Sequence, residues 1–272
     1  MTDRDTRAQA AGAPLLRPGE LSQEAYIYLG AGAAVLLQLA NPGVGWGVCE
    51  HSTTLRRPLD RLRTTMTYIY ALTLGTEEER RIVARLVNRA HGAVRSERYN
   101  AFDPQLQLWV AATLYRGGAQ LSDIFRGPLD EANAEALYRH AALYGTTLQV
   151  SPEMWPPDRA AFEAYWSQSL ASFCVDAQVR DYAHALLRGG DAPWWTRALL
   201  PLQNFTTRGL LPPAVREAFA LPWSAADERR WARFVRYAPV LYRCLPAFVR
   251  HAPARYFLRD MRRRIAAHRP LI

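Results

Sequence analysis

The chain has 272 residues, about half of them hydrophobic, which is enough for one large core. Its formal charge is +9 with no lysine anywhere, and its arginines are spread along the chain, so the surplus reads as arginine usage and no nucleic-acid role is expected. Cys49, Cys174 and Cys244 are far apart and form no CxxC pair, as expected of free thiols in a reducing, cytoplasmic setting.

Residues 1–19 are charged and contain Pro and Gly, with no apolar core of a secretory signal; they are expected to be a disordered leader to a single domain spanning 20–272. A Gly- and Ala-rich helix is expected over 22–40. The uncharged run 25–46 holds only about 16 helical residues, short of the roughly 20 that span a bilayer. Asn41-Pro42-Gly43 is expected to break this helix, with Gly45 and Gly47 keeping an irregular loop around His51.

In the next helix Arg61, Thr64, Thr65 and Tyr68 fall at i, i+3, i+4 and i+7 and share one face. Gly75 stops it, and Thr76 with Glu79 forms a capping box that starts another near residue 77. There Val83, Val87, His91 and Arg95 recur every four residues, with Ile82, Leu86, Ala90 and Val94 widening the apolar stripe. His91 therefore has two readings: a core histidine bonded to a carbonyl, or a metal or haem ligand. With no His, Cys or carboxylate three or four residues away, a one-ligand cofactor is favoured over a zinc or di-iron site.

Asp103-Pro104 opens a helix expected to stop at Gly117-Gly118, another follows over 131–144, and Asp158 caps the next. Further helices are expected over 176–188, 193–210, 213–220, 225–243 and 252–267. No period-2 stretch appears, so the fold class is all-α, a single-domain helical bundle. The last segment interleaves Arg255, Arg259, Arg262 and Arg263 with Tyr256, Phe257, Leu258 and Ile265. It reads as a helix docked by its apolar residues with a solvated arginine face; the other reading is weak contact with an anionic membrane surface.

GxSxG, GxGxxG, Walker and HExxH signatures are all missing, which points to a protein whose reactive centre is a cofactor. Several stretches then carry a resemblance: Leu36 to Pro42, Glu50-His51-Ser52, Arg61 to Thr65, His91 to Val94, Tyr99-Asn100-Ala101 and Trp109-Val110. Tyr144-Gly145, Trp155-Pro156 and Leu210 to Arg216 continue it. In this order, over roughly residues 20–245, they resemble the MpaB-like oxygenases, a family that includes the rubber oxygenases known as latex-clearing proteins.

The resemblance implies a globin-like helical core around haem b, with His91 as the ligand to its iron. It implies catalytic roles for Arg61 and Thr65, which match the family's Arg-x-x-x-Thr and would also contact the haem together with Thr64. Arg61 is placed to pair a propionate or to stabilise bound oxygen, unless it is a surface charge paired, like Arg63, with Asp60 or Glu50. Thr64 stands where latex-clearing proteins have a lysine, which argues against polyisoprene itself. The expected activity is oxidation of a small apolar, isoprenoid or lipid-like substrate by O2. The alternative is a non-catalytic helical binding protein or arginine-rich regulator.

Overall fold

The computed structural model describes residues 15–96, 98–269 and 271. Of the expected leader, residues 1–14 lie outside the described residues, and Pro18 and Gly19 already belong to the first helix. The expected helix over 22–40 is three pieces: α1 (Pro18–Ser22), a 3₁₀ stretch (Ala25–Gly30) and α2 (Ala31–Ala40). The expected loop around His51 is instead a helix, α3 (Pro42–His51). Asn41-Pro42 is a start signal as well as a break. The Asn41 carboxamide oxygen accepts from the Gly43 and Val44 N–H groups at 3.0 and 3.3 Å, and Pro42 fills a first-turn position that needs no donor. Gly45 is required by packing, since a Cβ there would stand 2.7 Å from the Leu39 carbonyl oxygen.

A hairpin of α4 (Pro58–Leu74) and α5 (Glu77–His91) follows, and then α6 (Pro104–Arg126). α6 runs straight through Gly117-Gly118, where a stop was expected, and ends at Gly127 with φ 91°. Glycine weakens a helix but does not end one unless the chain must turn. A Cβ on either glycine would meet nothing within 4 Å. Gly117→Ala and Gly118→Ala should therefore each stabilise the fold, by up to about 1 kcal/mol in urea denaturation; a loss of stability would show that the smaller residue is needed.

The remaining helices are α7 (Glu131–Ala141), α8 (Leu143–Thr146), α9 (Arg159–Ser172), α10 (Ala177–Leu187), α11 (Trp194–Arg197) and α12 (Leu200–Leu210). They are followed by α13 (Pro213–Ala218), α14 (Ala225–Arg243), α15 (Ala247–Arg250) and α16 (Ala252–Ala266). Among the described residues there is no strand, only a bridge between Arg95 and Asn100, so the fold is all-α. Among the described residues no single helix is long and apolar enough to cross a membrane; the apolar pair Ala25–Ala40 and Pro42–His51 is bent by 110°.

The main core gathers Leu36, Leu37 and Leu39 of α2 with Trp109 of α6, Phe162 of α9 and Phe219. α4 is packed on two sides. Tyr68, Ala71 and Leu72 meet Val83 of α5 and Met261 of α16, while Met66 and Tyr70 meet Ala254. Full burial on α4 begins at Met66; its first two turns are half-buried or exposed. α16 sets Phe257, Leu258 and Ile265 against these clusters. The buried Glu24 carboxylate ties this end of the chain to the beginning, accepting from Tyr242 Oη at 2.8 Å and from Arg250 at 3.1 Å.

Candidate active site on the open end of the α4–α5 hairpin

Both sides of the capping box form as expected. Thr76 Oγ1 accepts from the Glu79 N–H at 3.2 Å, and the Thr76 N–H donates to Glu79 Oε2 at 2.8 Å. Glu79 also takes Arg262 of α16 at 2.7 Å, and that partner holds its carboxyl below the usual range. The far end of α5 differs from expectation. Its last residue is His91; Gly92 follows as the cap, and Val94 and Arg95 leave the helical stripe for the turn that pairs Arg95 with Asn100. An amide network holds this end in place: Gln149 Nε2 donates to Asn88 Oδ1 at 2.8 Å, and the buried Gln107 accepts from the Gln149 N–H at 2.9 Å.

His91 is half-buried. Its Nδ1 is fully covered and has no hydrogen-bond partner, and Nε2 bonds to nothing among the described residues. A core histidine bonded to a carbonyl is thus not what stands here. Burial, and after it the Arg61 guanidinium, hold the His91 pKa below its ordinary 6.5, so the imidazole is neutral near pH 7.

Arg61 comes from the first turn of α4. The loop before that helix is fixed by the Asp191 N–H donating to the Leu55 carbonyl at 2.8 Å, next to Gly190, whose φ of 49° suits glycine. The expected pairing with Asp60 occurs for Arg63 at 3.4 Å and for Arg57 at 2.6 Å, but not for Arg61. Burial lowers the Arg61 pKa even though its side chain is solvent-accessible.

Thr65, one turn on, is exposed, and its hydroxyl has no partner among the described residues. Thr64 is different: its hydroxyl donates to its own helix, to the Arg61 and Asp60 carbonyls at 2.9 and 3.1 Å. Of the four expected residues, His91 has a covered nitrogen without a partner, Arg61 and Thr65 present solvent-open groups with no protein partner among the described residues, and the Thr64 hydroxyl is taken. His51 lies apart, exposed at the end of α3 and edge-on to Tyr99 at 5.6 Å, whose hydroxyl donates to Glu50 at 2.9 Å.

Tyr182 of α10 was missed by sequence reasoning. Its hydroxyl is buried without a partner and close enough to bear on the ionisation of Arg61. Nothing in the α10 sequence marks it, because it is one tyrosine on an ordinary amphipathic helix.

Among the described residues no three His, Cys, Asp or Glu side chains come together as a metal-holding cluster. The arrangement offers a neutral imidazole with a free lone pair, an unpaired cation and a free hydroxyl at the mouth of a helical hairpin. As pH falls, the unfolded chain takes up the His91 proton before the folded chain does. Stability should therefore be level near pH 7 and drop below about 6.5, and His91→Gln should remove part of that slope. His140, whose pKa is also lowered, keeps the remainder. Melting temperatures of both proteins across that range test this, and identical slopes would refute it.

An all-α chain with its polar chemistry on one hairpin is the class these observations define. The chain belongs to the family described as ER-bound oxygenase mpaB/B′/rubber oxygenase, catalytic domain, whose model matches residues 20–240. It is 40% identical over 250 residues to uncharacterized protein Mb2261 of Mycobacterium bovis and to uncharacterized protein Rv2237 of Mycobacterium tuberculosis, covering 88% of this chain and 98% of each relative. No solved structure matches.

Proposed function

We propose that the chain is an oxygenase dependent on haem b, with His91 as the residue that would hold its iron, acting with O2 on a small apolar, isoprenoid or lipid-like substrate. The observation that carries this is the neutral His91 imidazole, with neither nitrogen hydrogen-bonded among the described residues, beside an Arg61 without a carboxylate partner. A lone imidazole is a poor site for a bare metal ion, but it would suit an iron that a haem brings with ligands of its own. The residues fit that group.

The haem, when bound, supplies the O2 chemistry. The chain's own side chains supply the rest. Arg61 would give a positive charge for a propionate or for oxygen, from a side chain that is open to solvent. Thr65 gives a hydroxyl donor one turn away. Thr64, its hydroxyl spent on its own helix, contributes shape alone, and it stands where latex-clearing proteins carry a lysine, which favours a substrate smaller than polyisoprene. In this reading the hairpin and its neighbours form the globin-like wall of the pocket. A cytoplasmic setting suits the three free cysteines, of which half-buried Cys49 is pushed up to about 11, first by burial and then by Asp176 and Glu50.

The test is direct. Protein made in haem-sufficient cells should be red-brown, with a Soret band and close to one iron per chain. A colourless protein whose apo form takes up no haemin overturns the reading in favour of a non-catalytic helical binding protein.

A further inference from the structure

The net charge of the chain sits at one end. Residues 225–272 hold twelve arginines against three acids, while residues 1–224 hold 22 charges of each sign. The outer side of α14 carries Arg229, Arg233, Arg236, Val240 and Arg243, all exposed and spaced by three or four residues. Toward its end Tyr237, Val240 and Leu241 are 53, 51 and 70% exposed. The chain then runs from Arg243 to Val249 without one covered residue, leaving Leu245, Phe248 and Val249 at 43, 64 and 41%. Seven successive exposed residues, from the end of α14 into α15, form an open corner. Beside it α14 and Phe205 of α12 line a groove of about 560 Å³ with Phe234, Tyr237, Leu241, Arg230 and Arg233.

We propose that this α14–α15 corner docks the protein on an anionic lipid bilayer, the apolar residues entering the headgroup–acyl boundary and the arginines pairing with lipid phosphates. Arg233 and Arg243 have no ion pair among the described residues, so their charge is available to a partner. Of the possible occupants, a lipid surface rewards both halves of the patch. A second copy would set one arginine cluster against another. Nucleic acid would pair with the arginines but leave Leu241, Leu245, Phe248 and Val249 without an apolar partner. The docking element is this corner and not the C-terminal helix. α16 has most of its apolar residues taken up, with Ala254 and Met261 buried and Phe257, Leu258 and Ile265 packed beside them, and only Tyr256 of the large ones open. None of these residues stands at His91, so the inference is independent of the oxygenase reading.

Vesicle flotation of the full chain tests it. Binding is expected to vesicles of phosphatidylcholine with phosphatidylglycerol, about tenfold weaker to phosphatidylcholine alone, and reduced by added salt. Leu241→Ser with Phe248→Ser should lower the anionic partition about tenfold, and Arg233→Gln with Arg243→Gln should lower it and flatten the salt dependence. All four positions are exposed, and unchanged circular dichroism will show that the variants fold. The inference is overturned if the wild type ignores anionic vesicles or if the two double variants bind them equally well. It is also overturned if light scattering finds a dimer that Phe248→Ser turns into monomer, or if duplex DNA binds and displaces the vesicles.

Discussion

Haem content per folded chain should fall close to zero in His91→Ala, with the helical circular dichroism spectrum kept. The two readouts separate the roles a buried histidine can have. A core histidine that holds a carbonyl in place loses about 1–3 kcal/mol on replacement, through lost packing and an unpaired partner. His91 has no such partner: its covered Nδ1 meets no acceptor, and removing it removes an unsatisfied atom. Alanine is also the best helix former, and position 91 is the last of α5. The apoprotein should therefore lose less than about 1 kcal/mol while ligation is lost outright. A His91→Ala protein with the wild-type Soret band would show that the ligand is elsewhere, with exposed His51 the next to replace. A protein that instead unfolds would return His91 to a structural role.

Signals confined to four or five residues were legible in the sequence. The Thr76–Glu79 box, the Asp103 and Asp158 caps and the i, i+4 placement of Arg61 and Thr65 all appear as written, because each depends only on its own turn. What the sequence hid depends on distant partners. Asn41-Pro42-Gly43 reads equally as the end of one helix and the start of another, and only α3 packing against Val179 decides. Gly117-Gly118 reads as a stop until α6 is seen to need no turn there. The early end of α5 follows from the Arg95–Asn100 bridge, a pairing between segments with no strand character. In the site itself, the spacing put Arg61 and Thr65 together, but it could not say that Asp60 is taken by Arg57 and Arg63, or that Thr64 is spent on its own backbone. The tryptophans that helped mark the resemblance are anchors: Trp109 and Trp155 lie in the main core.

Trp109→Ala should produce the largest loss of stability. Trp109 is 1% exposed, stacks on Trp166 at 4.9 Å between ring centres, and meets Phe173 edge-on at 4.7 Å. Its indole N–H donates to the Leu37 carbonyl at 2.9 Å. That carbonyl is in the last turn of α2, where the chain bends at Asn41 and the Asn41 N–H goes to Gln38 instead. Trp109 therefore fills the space between α2, α6 and α9 and satisfies a helix-end acceptor at once. Truncation to alanine leaves a large cavity, about 3–5 kcal/mol, and exposes the acceptor's desolvation, about 1–3 kcal/mol more. Against a typical total of about 5–15 kcal/mol, this approaches unfolding. Trp109→Phe keeps an aromatic ring beside Trp166 and gives up the hydrogen bond and part of the volume, so it should cost less than half as much. Guanidinium unfolding of the three proteins, with equal slopes, measures both. If Phe and Ala cost the same, the ring contacts contribute little and the indole–Leu37 bond carries the effect; if Ala costs under about 2 kcal/mol, the α2–α6 contact is not the centre of this core.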